Sequence, residues 1–229
     1  MCDIRNMSES RFDVVLLDLD GTLTDSAPGI LNGLRYSLDA MGIEAPDDAT
    51  MRTFLGPPLA DTYGGHFGMD QREIDRAIAL YREHYHEVGL FENDVYPGVP
   101  ELLGDLSETG AVLAVATSKP TYSATRIVEH YSLARYLRFV GGAELDGSRN
   151  GKAAVIEHTL AALTSSGDYN DTSSVIMIGD REHDVRGASA HGIDTIGVLW
   201  GYGSSDELLR AGAVALADDP ADLLRQLTR

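Results

Sequence analysis

The chain holds a single cysteine, Cys2, so no disulfide can form within it. Lysine is almost as scarce: Lys119 and Lys152 are the only two, beside sixteen arginines. Basic charge as a whole is short, with 18 Lys and Arg against 36 Asp and Glu, a net charge of -18. Such a balance argues against nucleic acid and anionic membrane surfaces as partners. It would also repel a phosphorylated ligand, so any phosphate site must be locally positive or metal-loaded. No apolar run approaches the length of a membrane span. Met1–Ser10 has no apolar core, so no signal peptide is expected, and Met7 is an alternative start. These absences together lead to the expectation of a cytoplasmic protein.

What is present is ordinary for a globular chain: 43% hydrophobic and 24% charged residues, enough for a sizeable core. The length suits one large domain or a core with a small second unit. The bland reading of the missing lysines is a coding preference for arginine on surfaces. It gives the two that remain added interest, because lysine is a compact point charge that a planar guanidinium does not replace.

Short apolar runs without alternation recur along the chain, as expected for strands covered on both faces. They are Phe12–Leu17, Ala111–Ala116, a weaker Leu137–Val140, Ser174–Ile178, Thr195–Leu199 and a short Val214–Leu216. Amphipathic segments lie between and after them at Val99–Ser107, Tyr122–Tyr131, Ala153–Leu163, Val185–His191, Asp206–Ala211 and Ala221–Leu227. This alternation predicts an α/β fold with a doubly wound parallel sheet. One stretch breaks the rhythm. Residues 25–94 carry no convincing strand, and four helices are expected there: Ala27–Met41, Thr50–Leu55, Leu59–His66 and Gln71–Val88. Ile30, Leu31, Leu34 and Leu38 make an apolar stripe on the first, and Ile74, Ile78, Tyr81 and Tyr85 on the last. Asp47-Asp48 is a cap signal and Gly56-Pro57-Pro58 a break. The expected organisation is an α/β core of residues 1–24 and 95–229 with an all-helical insert of residues 25–94.

The chemistry gathers at strand ends. Residues 14–22 read Val-Val-Leu-Leu-Asp-Leu-Asp-Gly-Thr, so Asp18 and Asp20 point to one side of an extended chain. They sit where open α/β sheets bind ligands, just past the carboxyl end of a strand. Two adjacent acids repel and require a cation or a shared proton. Thr117-Ser118-Lys119-Pro120 ends the second strand and precedes a helix, a ready anion site or an ordinary cap. Lys152 follows the turn-rich Asp146-Gly147-Ser148-Arg149-Asn150-Gly151 and opens a helix, an unfavourable place for a cation. That placement favours a functional charge over a surface one. The fourth strand ends in Gly179-Asp180-Arg181-Glu182-His183-Asp184. Asp180 and Asp184 lie close if a helical turn intervenes, and would complete the oxygen set for Mg²⁺.

Taken together, these four elements resemble the haloacid dehalogenase-like hydrolase superfamily. Asp18-Leu19-Asp20-Gly21-Thr22 matches its first motif, Thr117 or Ser118 its second, Lys152 its third and Gly179-Asp180-x-x-x-Asp184 its fourth. The insert looks like the family's small helical cap. The resemblance implies that Asp18 is a nucleophile toward phosphorus and Asp20 an acid/base. It implies Mg²⁺ held by Asp18, the Asp20 backbone carbonyl and Asp180, with Asp184 as a further ligand or as support. Thr117 or Ser118, with Gly21 and Thr22, would bind phosphate, and Lys152 would neutralise the region. Phe54 and Lys119 are candidates for substrate contact, each beside a blander reading as a packing turn and an exposed lysine. Trp200-Gly201-Tyr202-Gly203 either lies near the crevice or packs its own loop.

The substrate implied is a small-molecule phosphate monoester. Phe54-Leu55-Gly56-Pro57-Pro58, Thr117-Ser118-Lys119-Pro120 and Gly197-Val198-Leu199-Trp200-Gly201-Tyr202-Gly203 are similar to the phosphoglycolate phosphatase and 5′-nucleotidase-like subgroup. A phospho-aspartate receiver module uses related groups, but the insert and the Asp-x-Asp-Gly-Thr run speak against it. A dehalogenase would not need Asp20. A phosphonate hydrolase of this type uses a cap lysine, and residues 25–95 contain none. A sugar phosphomutase shares both aspartates but must hold a second phosphate. The insert, with thirteen acids against five arginines, is poorly charged for that, although Arg72 or Arg76 would be available.

Overall fold

Strand β1, Val14–Leu17, is fully buried along its length and lies between two other strands of its sheet. In this computed structural model, residues 9–56, 58–144, 146, 148, 149 and 151–229 are described. Cys2, Met7, Pro57, Gly147 and Asn150, singled out above, lie outside them. The chain divides into two compact units, Met1–Thr24 with Val95–Arg229, and Asp25–Asp94. It leaves the first through β2 (Thr24–Asp25) and returns through β3 (Asp94–Val95).

The larger unit is built on one parallel sheet. Its further strands are β4 (Val112–Pro120), β5 (Phe139–Ala143), β6 (Val175–Gly179), β7 (Asp194–Val198) and β8 (Ala215–Ala217). The order is β5-β4-β1-β6-β7-β8, and every pairing is parallel. Each crossover carries a helix, as parallel neighbours require. Six α-helices belong to this unit among the described residues: α5 (Val99–Glu108), α6 (Thr121–His130), α7 (Lys152–Ser166), α8 (Glu182–Ser189), α9 (Ser205–Ala211) and α10 (Pro220–Leu227); α1–α4 belong to the insert. One core layer joins Val14, Leu16, Ala114 and Met177 of the sheet to Val155, Ile156 and Leu163 of α7. Burial on both faces explains why these strands read as unbroken apolar runs.

The expected parallel α/β sheet is present, with one informative shift. The second apolar run ends at Ala116, but β4 continues to Pro120, with a register irregularity against β5 between Ala116 and Pro120. Polar residues thus occupy strand positions, so α6 starts at Thr121 with Pro120 as its cap residue.

The helical unit contains α1 (Ala27–Ala40), α2 (Asp48–Arg52), α3 (Leu59–Gly65) and α4 (Gln71–Glu87). Asp47 caps α2 by accepting from the Thr50 N–H at 2.9 Å, so this helix begins and ends earlier than its apolar residues suggest. Asp70 and Glu73 form a reciprocal capping box on α4. On α1 the buried face is Ala27, Leu31, Leu34, Ser37 and Leu38, while Ile30 stays half-exposed. The stripe is rotated because Gly33 lies against the Tyr81 ring of α4. On α4 the buried face is Ala77, Tyr81 and Tyr85, with Ile74 and Ile78 half-exposed. Among the described residues no helix is long and apolar enough to cross a membrane.

Candidate active site

Asp18 follows β1 directly, and its N–H donates to the Ile178 carbonyl of β6 at 2.9 Å. The register pairs Leu17 with Ile178, so Asp18 and Asp180 emerge side by side from neighbouring strand ends. Asp184 joins them from the first turn of α8. Its Oδ2 accepts from the Arg181 N–H at 3.0 Å and caps that helix. The three carboxylates are buried, and one oxygen of each lies within 4.8 Å of the others.

Two glycines make this approach possible. A Cβ on Gly179 would meet Asp184 Cγ at 2.3 Å. A Cβ on Gly21 would meet Asp180 Oδ2 at 2.2 Å, and Gly21 also has φ +82°, a conformation that glycine adopts without penalty.

Lys152, the first residue of α7, closes the cluster. Its Nζ lies 2.8 Å from Asp18 Oδ1 and 2.6 Å from Asp184 Oδ1, and donates to the Ala116 carbonyl at 2.9 Å. The ammonium thus ion-pairs with two carboxylates and hydrogen-bonds one carbonyl. Its stem reaches the acids past Gly187 of α8, where a Cβ would stand 2.6 Å from Lys152 Cγ.

Charge balance defines what the cluster can hold. Burial pushes the Asp18 carboxyl up; Lys152 opposes that rise and Asp184 adds to it. Burial also pushes Asp180 well above the usual carboxylate range, reinforced by Asp184 and Asp18. For Lys152, burial acts to lower the ammonium pKa, and the carboxylates of Asp18 and Asp184 outweigh it, leaving a net rise. One cation faces three buried acids, which leaves the cluster with an excess of acidic groups. A hard divalent ion would supply the missing charge and accept carboxylate oxygens. The donor set therefore fits a metal, with Asp18, Asp180 and Asp184 as its side-chain ligands.

Asp20 stands apart from this cluster. Its Oδ2 pairs with Lys119 Nζ at 2.8 Å. Lys119 is buried, not the exposed lysine of the blander reading. Thr117 and Ser118 differ in burial. Along the extension of β4, Thr117 and Lys119 are buried and Ser118 between them is exposed, the alternation of a strand. Thr117 Oγ1 accepts from the Lys119 N–H at 3.2 Å, which leaves its own proton to donate.

The Thr22 hydroxyl donates toward Asp180 Oδ1 at 3.4 Å. The loop after β7 completes the hold on Asp180. The Tyr202 N–H donates to Asp180 Oδ2 at 2.7 Å, and Trp200 Nε1 donates to the Thr22 carbonyl at 3.0 Å. Gly201 packs where a Cβ would meet the Gly21 carbonyl at 2.2 Å and Asp180 Cβ at 2.4 Å. Trp200–Gly203 is thus a clasp on the site, a role signalled in sequence only by two glycines after a strand end. Phe54 is buried in the helical unit, its ring centre 4.9 Å from His66 and 5.8 Å from Phe67.

An open parallel sheet with buried aspartates at adjacent strand ends defines an α/β enzyme core. Residues 15–198 match the haloacid dehalogenase-like hydrolase family. A 5′-nucleotidase of Pseudomonas aeruginosa is 41% identical over 198 residues, 86% of this chain and 87% of that protein. The tyrosine-protein kinase PtkA of Mycobacterium tuberculosis is 41% identical over 193 residues, 84% of this chain but only 64% of that protein's length. The crystal structure of a predicted phosphatase from Clostridium acetobutylicum aligns with a TM-score of 0.84 and 40% identity, over 94% of this chain and 97% of that one. The chain belongs to the haloacid dehalogenase-like hydrolase family.

Proposed function

We propose that this protein is a cytoplasmic, Mg²⁺-dependent phosphatase that hydrolyses a small phosphate monoester, a 5′-nucleotide or a phosphoglycolate-like compound, through a phosphorylated Asp18. The observation that carries the reading is Asp18 beside Lys152 and two further buried acids, with a second aspartate, Asp20, held separately. The 5′-nucleotidase name of a relative over nearly the same length supports the substrate class.

Asp18 attacks phosphorus in line with the leaving oxygen. Mg²⁺ bound by Asp18, Asp180, Asp184 and the Asp20 carbonyl would offset the charge of the nucleophile and phosphoryl group. Lys152 holds Asp18 in its attacking orientation and adds a positive charge beside it. Thr117 donates to a phosphoryl oxygen as charge develops there. Asp20 protonates the leaving oxygen and then takes a proton from the attacking water. In this reading, Phe54 is a candidate substrate contact, and nucleic acids and membranes are not partners.

The test is phosphate release from nucleoside monophosphates, phosphoglycolate, sugar phosphates and phosphotyrosine, with Mg²⁺ and with EDTA. Turnover is expected with Mg²⁺ alone, and lost in Asp18→Asn with the fold retained. Retained turnover in that variant, or none from the wild type, would sink the reading. The kinase name of another relative raises tyrosine hydroxyl as an alternative acceptor to water. Incubation with labelled ATP and a tyrosine peptide separates the two, and label on the peptide would favour the second.

A further inference from the structure

We propose that Lys119 is a positioning residue for Asp20: it clamps Oδ2, so that Oδ1 is the oxygen that gives and takes the proton. The inference deepens the phosphatase reading and rests on it.

Of the two lysines in the chain, Lys152 is accounted for by Asp18 and Asp184. Lys119 repeats the arrangement on the other aspartate of the first motif, with Nζ 2.8 Å from Asp20 Oδ2 and a side chain only 6% exposed. Here the charge is already met by a carboxylate of the same protein, on a stem buried beside it.

The two oxygens of Asp20 are then unlike. Oδ2 faces an ammonium, whereas Oδ1 is buried with no hydrogen-bond partner among the described residues. Buried polar atoms are nearly always bonded, so Oδ1 is an acceptor awaiting a partner. The terminal torsion of an aspartate is broad and roughly two-fold, and an unclamped carboxylate would exchange its oxygens. Fixing Oδ2 removes that freedom and aims Oδ1. Because the Lys119 N–H also binds Thr117 Oγ1, one short segment past Ala116 positions both the hydroxyl for the phosphoryl group and the acid/base.

The chemistry balances through Oδ1. As the bond from phosphorus to the leaving oxygen breaks and the bond to Asp18 forms, the proton on Oδ1 passes to the leaving oxygen. As water oxygen then bonds to phosphorus and the Asp18 bond breaks, a proton from that water returns to Oδ1.

The leaving group supplies the test. p-Nitrophenolate departs without a proton, whereas the alcohol of a 5′-nucleoside monophosphate requires one. Rapid-quench measurement of phosphoenzyme formation in Lys119→Met is expected to show a loss of about a hundredfold on the nucleotide and little change on p-nitrophenyl phosphate. Asp20→Asn combined with Lys119→Met should lose no more on the nucleotide than Asp20→Asn alone. Equal losses on both esters, or a raised KM with kcat unchanged, would overturn the inference, placing Lys119 on the phosphoryl group or the substrate. If Lys119→Met does not fold, the same ratio in Lys119→Arg decides in its place. A wild type inert to both esters overturns the phosphatase reading and takes the inference with it. A wild type active on both, with equal losses in the variant, overturns the inference alone.

Discussion

Lys152 Nζ bridges Asp18 and Asp184, 2.8 Å from one and 2.6 Å from the other. One buried cation thus couples the end of β1 to the first turn of α8. Removing it leaves three buried acids with no lysine between them, and breaking a buried ion pair costs far more than the pair's net worth. Lys152→Met keeps the stem that packs against Gly187. It is expected to lower the stability of the metal-free protein by about 3 kcal/mol, read from urea unfolding in EDTA. Added Mg²⁺ should recover part of that loss by binding the folded state, while kcat stays low.

Thr117 is buried and Ser118 beside it exposed, and the phosphatase reading takes Thr117 as the phosphate donor. Thr117→Val keeps the shape and removes the hydroxyl. It is expected to reduce kcat by about a hundredfold, the usual cost of one transition-state donor. Ser118→Ala is expected to leave kcat within a few-fold of wild type. Steady-state kinetics on a single ester checks both, and the reverse ranking would reassign the donor.

The legible parts of this protein were those written in short-range pattern. Apolar runs marked β1, β4 and β6, and acids just beyond β1 and β6 marked Asp18 and Asp180, because a parallel sheet brings its carboxyl ends together. What the pattern hid was long-range. Nothing near Lys119 in the chain points to Asp20, since that pair forms only once β1 and β4 lie side by side. The end of β4 was hidden because its last residues are polar while the backbone keeps extended pairing. The stripe on α1 included Ile30 because periodicity cannot see which helix lies opposite. Gly33 is the buried position there, since it admits the Tyr81 ring.

Gly201 tests the clasp on Asp180. A methyl group at this position would meet the Gly21 carbonyl and Asp180 Cβ, both well inside contact distance. Neither is the end of a flexible chain, so the backbone must move. Gly201→Ala is expected to cost about 1–3 kcal/mol, the range for overpacking, and to raise the Mg²⁺ concentration for half-maximal activity. Gly65→Ala is the control: nothing lies within 4 Å of the added atom and φ is not positive. Its thermal midpoint should match the wild type or exceed it slightly.

The pH dependence of stability follows from Asp180, whose carboxyl is pushed well above the usual range by burial and by Asp184 and Asp18. In the unfolded chain an aspartate titrates near about 3.9. The folded state therefore holds the Asp180 proton to a higher pH than the unfolded state does. The stabilisation from that proton is complete below the unfolded pKa and is lost as pH rises through the folded one. Carboxylates elsewhere, such as Asp13 held low by the Ser174 backbone, act in the opposite direction, so the wild type alone does not isolate the effect. The difference from Asp180→Asn does. In EDTA, urea midpoints measured from about pH 4 to about pH 8 should show the variant gaining on the wild type as pH rises. With Mg²⁺ at the upper end of that range, the wild type should recover more than the variant, because the ionised Asp180 then has a cation beside it. A difference that stays flat with pH in EDTA would mean that Asp180 is ionised in the metal-free fold, and that the cluster tolerates its charge without a metal.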